Sequence, residues 1–235
     1  MIMKLNATSS IRTMIDRGKF VKEWIACGER CPKPKGFLPW YVHFRLMTEV
    51  ARGISFLHSN RSVMGSAIIH SAIRPANILL DCKFDAKICK VEQALLNPQC
   101  TKGVQALGHR TLGVFVGRNA QYIAPEYLRT KVYNEKTDIY AFGITVLEML
   151  TGNFMDAFGI TEEAIEDAAA FENVLDPNAG SWDVDLAKEV AALGLRCASL
   201  DRRSRPDMMD TDIDILGIFN GVAGKVQLAA PEEDP

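Results

Sequence analysis

Residues 137–150 read TDIYAFGITVLEML, a helical stretch that is apolar on nearly every face. A helix of that kind belongs in the centre of a domain, with the rest of the chain packed around it. Its most apolar part, residues 141–150, is broken by Glu148 and is far too short to cross a bilayer. Other segments have the periodicity of surrounding layers. After Pro39, the residues Phe44, Met47, Val50, Ala51, Ile54 and Leu57 recur at steps of three and four, the spacing of one buried helix face. Leu186, Val190, Leu193 and Cys197 form a similar face over residues 185–199. Ile213, Leu216 and Phe219 keep some of that spacing before an acidic end, Pro231-Glu232-Glu233-Asp234-Pro235, where fraying is expected.

Strand signals are few. Ile68-Ile69 and Ile78-Leu79-Leu80 are short apolar runs on either side of a polar loop, residues 70–77. Residues 86–91 are a candidate partner strand, with a hairpin turn near 81–85. Residues 27–38 (CGERCPKPKGFL) form a loop rich in Gly, Pro and charge. Between 92 and 122 periodicity fades, with Gly103, Gly108, Gly113 and Gly117 scattered through it; a connection that long is commonly functional.

Composition excludes several classes of function. Over 235 residues the formal net charge is −2, with 48% hydrophobic and 24% charged residues. That balance leaves no basic footprint for nucleic acid or an anionic membrane surface. Residues 1–20 mix Lys4, Arg12, Asp16, Arg17 and Lys19 into their apolar positions, so they do not read as a secretory signal. The expected setting is cytoplasmic, without membrane insertion, and the six cysteines are then read as reduced thiols. Cys27 and Cys31 lie four apart without a second Cys/His pair close by, so ordinary thiols are the better reading than a zinc site.

Four landmarks follow one another along the chain. The first is His70-Ser71-Ala72-Ile73-Arg74-Pro75-Ala76-Asn77 leading into Ile78-Leu79-Leu80-Asp81. The second is Ala86-Lys87-Ile88-Cys89-Lys90-Val91-Glu92. The third is Tyr122-Ile123-Ala124-Pro125-Glu126, and the fourth is Thr137-Asp138-Ile139-Tyr140-Ala141-Phe142-Gly143. A late Arg203-Ser204-Arg205-Pro206-Asp207 completes the series. In this order and at these intervals they resemble the large, C-terminal lobe of a eukaryotic protein kinase, over about residues 20–215. The landmarks correspond to the catalytic loop, the Asp-Phe-Gly turn, the Ala-Pro-Glu close of the activation segment, the central helix and the late Arg-Pro signature. Within kinases the sequence looks most like plant receptor-like cytoplasmic kinases, especially those joined to a U-box, a flavour carried by residues 186–207 (LAKEVAALGLRCASLDRRSRPD).

The resemblance implies a mainly α fold of the α+β family. It predicts a kinase-like C-lobe over 38–210 with a short β-hairpin near the catalytic loop. Residues 1–37 are expected to be a remnant of hinge and first large-lobe helix plus loop, and 211–235 a C-terminal helix extension with a frayed tail. No G-x-G-x-x-G loop or V-A-I-K-like strand is present, so the small lobe is expected to be absent. The catalytic positions are degenerate. Kinases use a catalytic-loop Asp as base, hold magnesium with the Asp-Phe-Gly Asp and the loop Asn, and steady the phosphates with a Lys. Here Ala72 stands at the base, Ser71 replaces the adjoining Arg, and Lys90 replaces the metal-binding Asp with a reversed charge. His70, Arg74 and Asn77 remain as family-matched remnants, Arg74 facing an anion or pairing with a local carboxylate. Glu126, Asp138 and Arg205 match structural positions: Asp138 anchoring the loop, Glu126 and Arg205 forming a buried ion pair.

The remaining candidates are bland. His70 beside Ser71 does not make a hydrolase pair, since adjacent side chains on an extended chain point to opposite sides. His43, His58 and His109 read as surface or capping histidines, and Trp24, Trp40 and Trp182 as core or lobe-edge packing. Glu162, Glu163, Glu166 and Asp167 read as a solvated acidic face. The sequence therefore predicts a pseudokinase module that binds protein partners, such as a kinase or a ubiquitin-ligase component, with no metal site and no cofactor. ATP and Mg2+ would enter only if the family activity is retained. The alternatives are an active Ser/Thr kinase and a truncated, non-functional product.

Overall fold

The computed structural model describes residues 11–16, 19–23, 37–59, 67–81, 84–91, 94–96, 120–130, 133–209, 211 and 213–229. Its helices are α1 (Trp40–Ser59), α2 (Pro125–Thr130), α3 (Glu135–Thr151), α4 (Ala157–Ala164), α5 (Ala168–Val174), α6 (Val184–Cys197) and α7 (Ile215–Ala229). Its strands are β1 (Ile11–Asp16), β2 (Lys19–Glu23), β3 (Ile68–Ile69), β4 (Ile78–Leu80), β5 (Ala86–Ile88) and β6 (Leu95–Leu96). This is the α-rich architecture expected from the sequence.

Helix α3 is the hub. From Thr137 to Leu150 every side chain except Tyr140 is buried. Its start is fixed by a capping box: the Asn134 side chain accepts from the Thr137 N–H at 3.1 Å, and the Asn134 N–H donates to Thr137 Oγ1 at 3.2 Å. Its end is fixed by Gly152 in the left-handed region (φ 63°), whose N–H closes on the Glu148 carbonyl at 2.8 Å. Helix α6, capped by Asp183 at 3.0 Å, packs tightly on α3 because both carry glycine at the crossing. A Cβ on Gly143 would sit 2.7 Å from the Ala198 nitrogen and the Gly194 carbonyl, and one on Gly194 would meet Leu147 Cδ2 at 2.8 Å.

Helix α1 buries the predicted face and more. His43, Leu46, Thr48 and His58 join Phe44, Met47, Val50, Ala51 and Ile54 inside, while Leu57 is only half-buried. Against α1 lies α7, through Ile215, Phe219 and Val222, and Phe219 meets Phe142 of α3 edge-on at 5.7 Å. Ile213, expected on that face, is instead exposed.

The hairpin is present as read, with β4 and β5 antiparallel in the register Ile78↔Ile88 and Leu80↔Ala86. Two features were missed. Residues 1–37 were expected to carry a helix, but residues 11–16 and 19–23 are strands, which extend the hairpin into a sheet ordered β2-β1-β4-β5. Strand β3 pairs with β6, inside the segment where periodicity had faded. The loop cysteines Cys27 and Cys31, Trp24, His109 and the glycines from 103 to 117 lie outside the described residues, as does the acidic end.

The α3–α6 crossing gives a direct test. Gly143→Ala should lower stability by about 1–3 kcal/mol, since overpacking against backbone outweighs the gain in helix propensity. Gly221→Ala on the exposed face of α7, where a Cβ meets nothing within 4 Å, should be neutral or stabilising by up to about 1 kcal/mol. Urea denaturation of both variants measures the difference.

Candidate functional site

The loop between β3 and β4 is built on a buried carboxylate. Asp138, in the first turns of α3, accepts from the backbone N–H of His70 at 2.7 Å and of Ser71 at 2.8 Å. His58, at the end of α1, places Nε2 3.0 Å from the same carboxylate. Three donors on one buried acid satisfy it far from water. They also hold Ser71 in the left-handed region at φ 63°, a conformation a serine adopts only when its surroundings enforce it.

His70 carries the next layer. Its Nε2 lies 2.8 Å from the Cys89 carbonyl, and its Nδ1 accepts the Ala72 N–H at 3.3 Å. Both contacts fit the neutral ring protonated at Nε2. A short 3-10 turn, Pro75–Asn77, then delivers Asn77, whose side-chain amide donates to the Ala72 carbonyl at 2.7 Å, while its own carbonyl accepts the Cys89 N–H at 2.9 Å. Residues 70, 72, 77 and 89 thus form one hydrogen-bonded unit. Lys90 follows immediately, half-buried and in the left-handed region at φ 69°.

A second cluster ties the 120–130 segment to the core. The Tyr122 hydroxyl donates to Glu148 Oε2 of α3, whereas Glu148 Oε1 is buried with no hydrogen-bond partner among the described residues. Burial pushes the Glu148 carboxyl up to about 8, with the Tyr122 hydrogen bond pulling the other way. Burial, then the charge and hydrogen bond of Glu148, push the Tyr122 hydroxyl up, and the Arg74 charge acts on it in the opposite sense. Arg74 therefore lies within electrostatic reach of the Tyr122 hydroxyl.

The third cluster joins α2 to the turn after α6. Glu126 and Arg205 form a two-pronged ion pair, NH1 to Oε1 at 2.7 Å and NH2 to Oε2 at 2.9 Å, with the guanidinium fully buried. Arg205 also donates from Nε to the Ser199 carbonyl at 2.8 Å and from NH1 to the Lys136 carbonyl at 2.8 Å, and sits over the Tyr140 ring at 4.9 Å. Burial raises the Glu126 carboxyl, but the hydrogen bonds and charge of Arg205 hold it below its ordinary value overall.

The sequence reading placed His70, Ser71, Ala72, Arg74, Asn77 and Lys90 around one loop, and the structure brings them there. His43 and His58, read as surface or capping histidines, are both buried. His43 is 1% exposed, with Nδ1 2.9 Å from the Met149 carbonyl and its ring edge-on to Trp182 at 5.6 Å; burial lowers its pKa. The reading gave Glu148 no role, although an acid deep in the apolar part of a buried helix was a usable signal. Nothing in the sequence alone marked His58.

For chemistry the loop offers little. The methyl of Ala72 can neither accept a proton nor orient a hydroxyl. Among the described residues no group of three His, Cys, Asp or Glu side chains is placed to hold a metal ion. The donor set fits Mg2+ poorly, because that ion favours carboxylate ligands and here meets the neutral amide of Asn77, with the cationic Lys90 following Cys89, which is bonded to the Asn77 carbonyl.

With this geometry in view, the comparisons are informative. The family model for the protein kinase domain matches residues 8–211, so the chain belongs to the protein kinase domain family. It is 38% identical over 193 residues to U-box domain-containing protein 52 of Arabidopsis thaliana, an overlap that covers 81% of this chain and 22% of that protein. It is 30% identical to U-box domain-containing protein 57 of Oryza sativa subsp. japonica, over 81% of this chain and 35% of the relative. It is 31% identical to Probable serine/threonine-protein kinase PBL15 of Arabidopsis thaliana, over 73% of this chain and 41% of the relative. The chain thus spans well under half the length of these relatives.

Two outcomes follow from the clusters. Arg205→Ala strands the Glu126 carboxylate and should cost about 3–5 kcal/mol, whereas Arg129→Ala on the exposed side of α2 should cost under about 0.5 kcal/mol; thermal melting of the two variants checks this. The second concerns pH. Glu148 titrates higher folded than unfolded, so its protonated form stabilises the fold. That contribution is complete below the ordinary value of 4.5 and is lost as pH rises through about 8. Relative to Glu148→Gln, the unaltered chain should lose stability over that window by at most about 1.4 kcal/mol per pH unit, measured as the urea midpoint.

Proposed function

We propose that this chain is a kinase-fold protein-interaction module that does not transfer phosphate. The observation that carries the reading is the contrast within one loop. The scaffold contacts of Asp138, His70, Asn77 and Cys89 are intact, while Ala72 and Lys90 occupy the two positions where phosphotransfer needs carboxylates. A lysine near a would-be metal position is worse than a gap. Two unit charges about 4 Å apart interact by roughly 4 kcal/mol at an effective dielectric near 20, and a divalent ion doubles this. The module would act in the cytoplasm by binding a protein, such as a kinase or a ubiquitin-ligase component. The U-box names of its relatives support the second partner class. Among the described residues no helix is long and apolar enough to cross a membrane.

The second reading is a Ser/Thr kinase using ATP and Mg2+. Retention of Asn77 in a fully formed loop and the printed name of the PBL15 relative favour it. The two readings differ in nucleotide binding. The purified chain should give no melting shift at millimolar Mg-ATP. A shift that disappears when a chelator is added would contradict the proposal, and a shift that survives chelation would place an anion near Lys90 or Arg74 without a metal.

A further inference from the structure

Away from the loop, a groove of about 550 Å3 opens between α2 and the turn that follows α6, lined by Glu126, Arg129, Thr130, Leu200, Asp201 and Arg202. Its floor is rigid and electrically settled. Glu126 is neutralised by the two-pronged contact with Arg205, and Arg205 is locked to the Ser199 and Lys136 carbonyls. Its rim is different. Arg129 and Arg202 are exposed and enter no ion pair among the described residues, unlike Lys136, which is engaged with Asp207 at 2.8 Å. Asp201 offsets one of these charges, but one of its carboxylate oxygens caps its own turn, accepting the Arg203 N–H at 3.0 Å, and Arg203 adds a further exposed cation beside it. A large aliphatic side chain stands at the same place, Leu200 at 72% exposure.

Arginine beside exposed aliphatic surface over a rigid floor is the composition of a protein-binding site. A lone leucine in solvent needs no explanation, but Leu200 lining a concavity beside two exposed guanidinium groups that enter no ion pair among the described residues selects for something that supplies both carboxylates and apolar surface. We propose that this groove docks an acidic segment of a partner protein, with an aliphatic side chain of that segment packed on Leu200 and its carboxylates on Arg129 and Arg202. The proposal rests on the interaction-module reading and names its surface and the chemistry of its partner. With Arg205 and Lys136 holding the floor by hydrogen bonds, the ordering cost of binding falls on the rim side chains.

A phage-displayed library of random peptides selected against the full chain tests this. The expected result is a consensus of acidic residues flanking an aliphatic one. A synthetic peptide of that consensus should bind about tenfold more weakly to Arg129→Ala/Arg202→Ala and to Leu200→Ser. Binding to Lys225→Ala, which removes a distant surface cation, should be unchanged. All of these positions are exposed, and matching melting temperatures would show that the variants remain folded. Selected peptides that bind the groove variants as tightly as the unaltered chain would overturn the groove while leaving an interaction module in place. A basic consensus, an empty selection, or a concentration-dependent dimer abolished by Arg202→Glu would also overturn it. Phosphotransfer activity of the chain would instead remove the reading on which the proposal rests, and is measured separately.

Discussion

The carboxylate of Asp138 is buried at the start of a helix that is itself buried, and that placement organises the rest. An unsatisfied charge there would be prohibitive, so the chain must bring donors to it. It brings the His58 ring from α1 and the successive N–H groups of His70 and Ser71. Because the two donors from the loop are backbone groups, the loop is shaped by where the main chain must go and not by the side chain at position 72. The left-handed Ser71, the turn at Pro75–Asn77 and the approach of Cys89 follow from it. A loop held in this way can lose its reactive side chains without losing its form.

The same division runs through the other ties. Glu126 and Arg205 join α2 to the turn after α6, and the Lys136 ammonium reinforces the joint through the Arg205 and Pro206 carbonyls. Tyr122 and Glu148 pin the preceding turn to α3. The Glu126–Arg205 and Tyr122–Glu148 ties are buried polar contacts, which cost a great deal to break from one side. None of them takes part in phosphate chemistry. A chain without that chemistry can therefore keep the fold and the surfaces it presents.

Much of this was legible in the sequence, for identifiable reasons. The central helix announced itself because nothing but burial explains an apolar run with no polar face. The loop and the Glu126–Arg205 pair were readable because each lies inside a short contiguous motif. The two strands over residues 11–16 and 19–23 were not, because Arg12, Asp16, Lys19 and Lys22 blur the alternation of their apolar positions. The role of His58 was invisible for a different reason: its partner lies eighty residues away, and a histidine at the end of an amphipathic helix looks like a cap. The groove at Leu200 and Arg202 was hidden too, since exposed leucines and arginines carry no pattern until folding sets them side by side.

The account stands or falls on separating scaffold from chemistry, and phosphotransfer itself measures that. Purified protein, incubated with radiolabelled ATP, Mg2+ and a generic Ser/Thr substrate, should transfer no label above the level of a heat-denatured control, and Asn77→Ala should change nothing. Label transferred at a steady rate by the unaltered chain and lost in Asn77→Ala would contradict the account, because it would mean that Ala72 and Lys90 do not prevent the reaction.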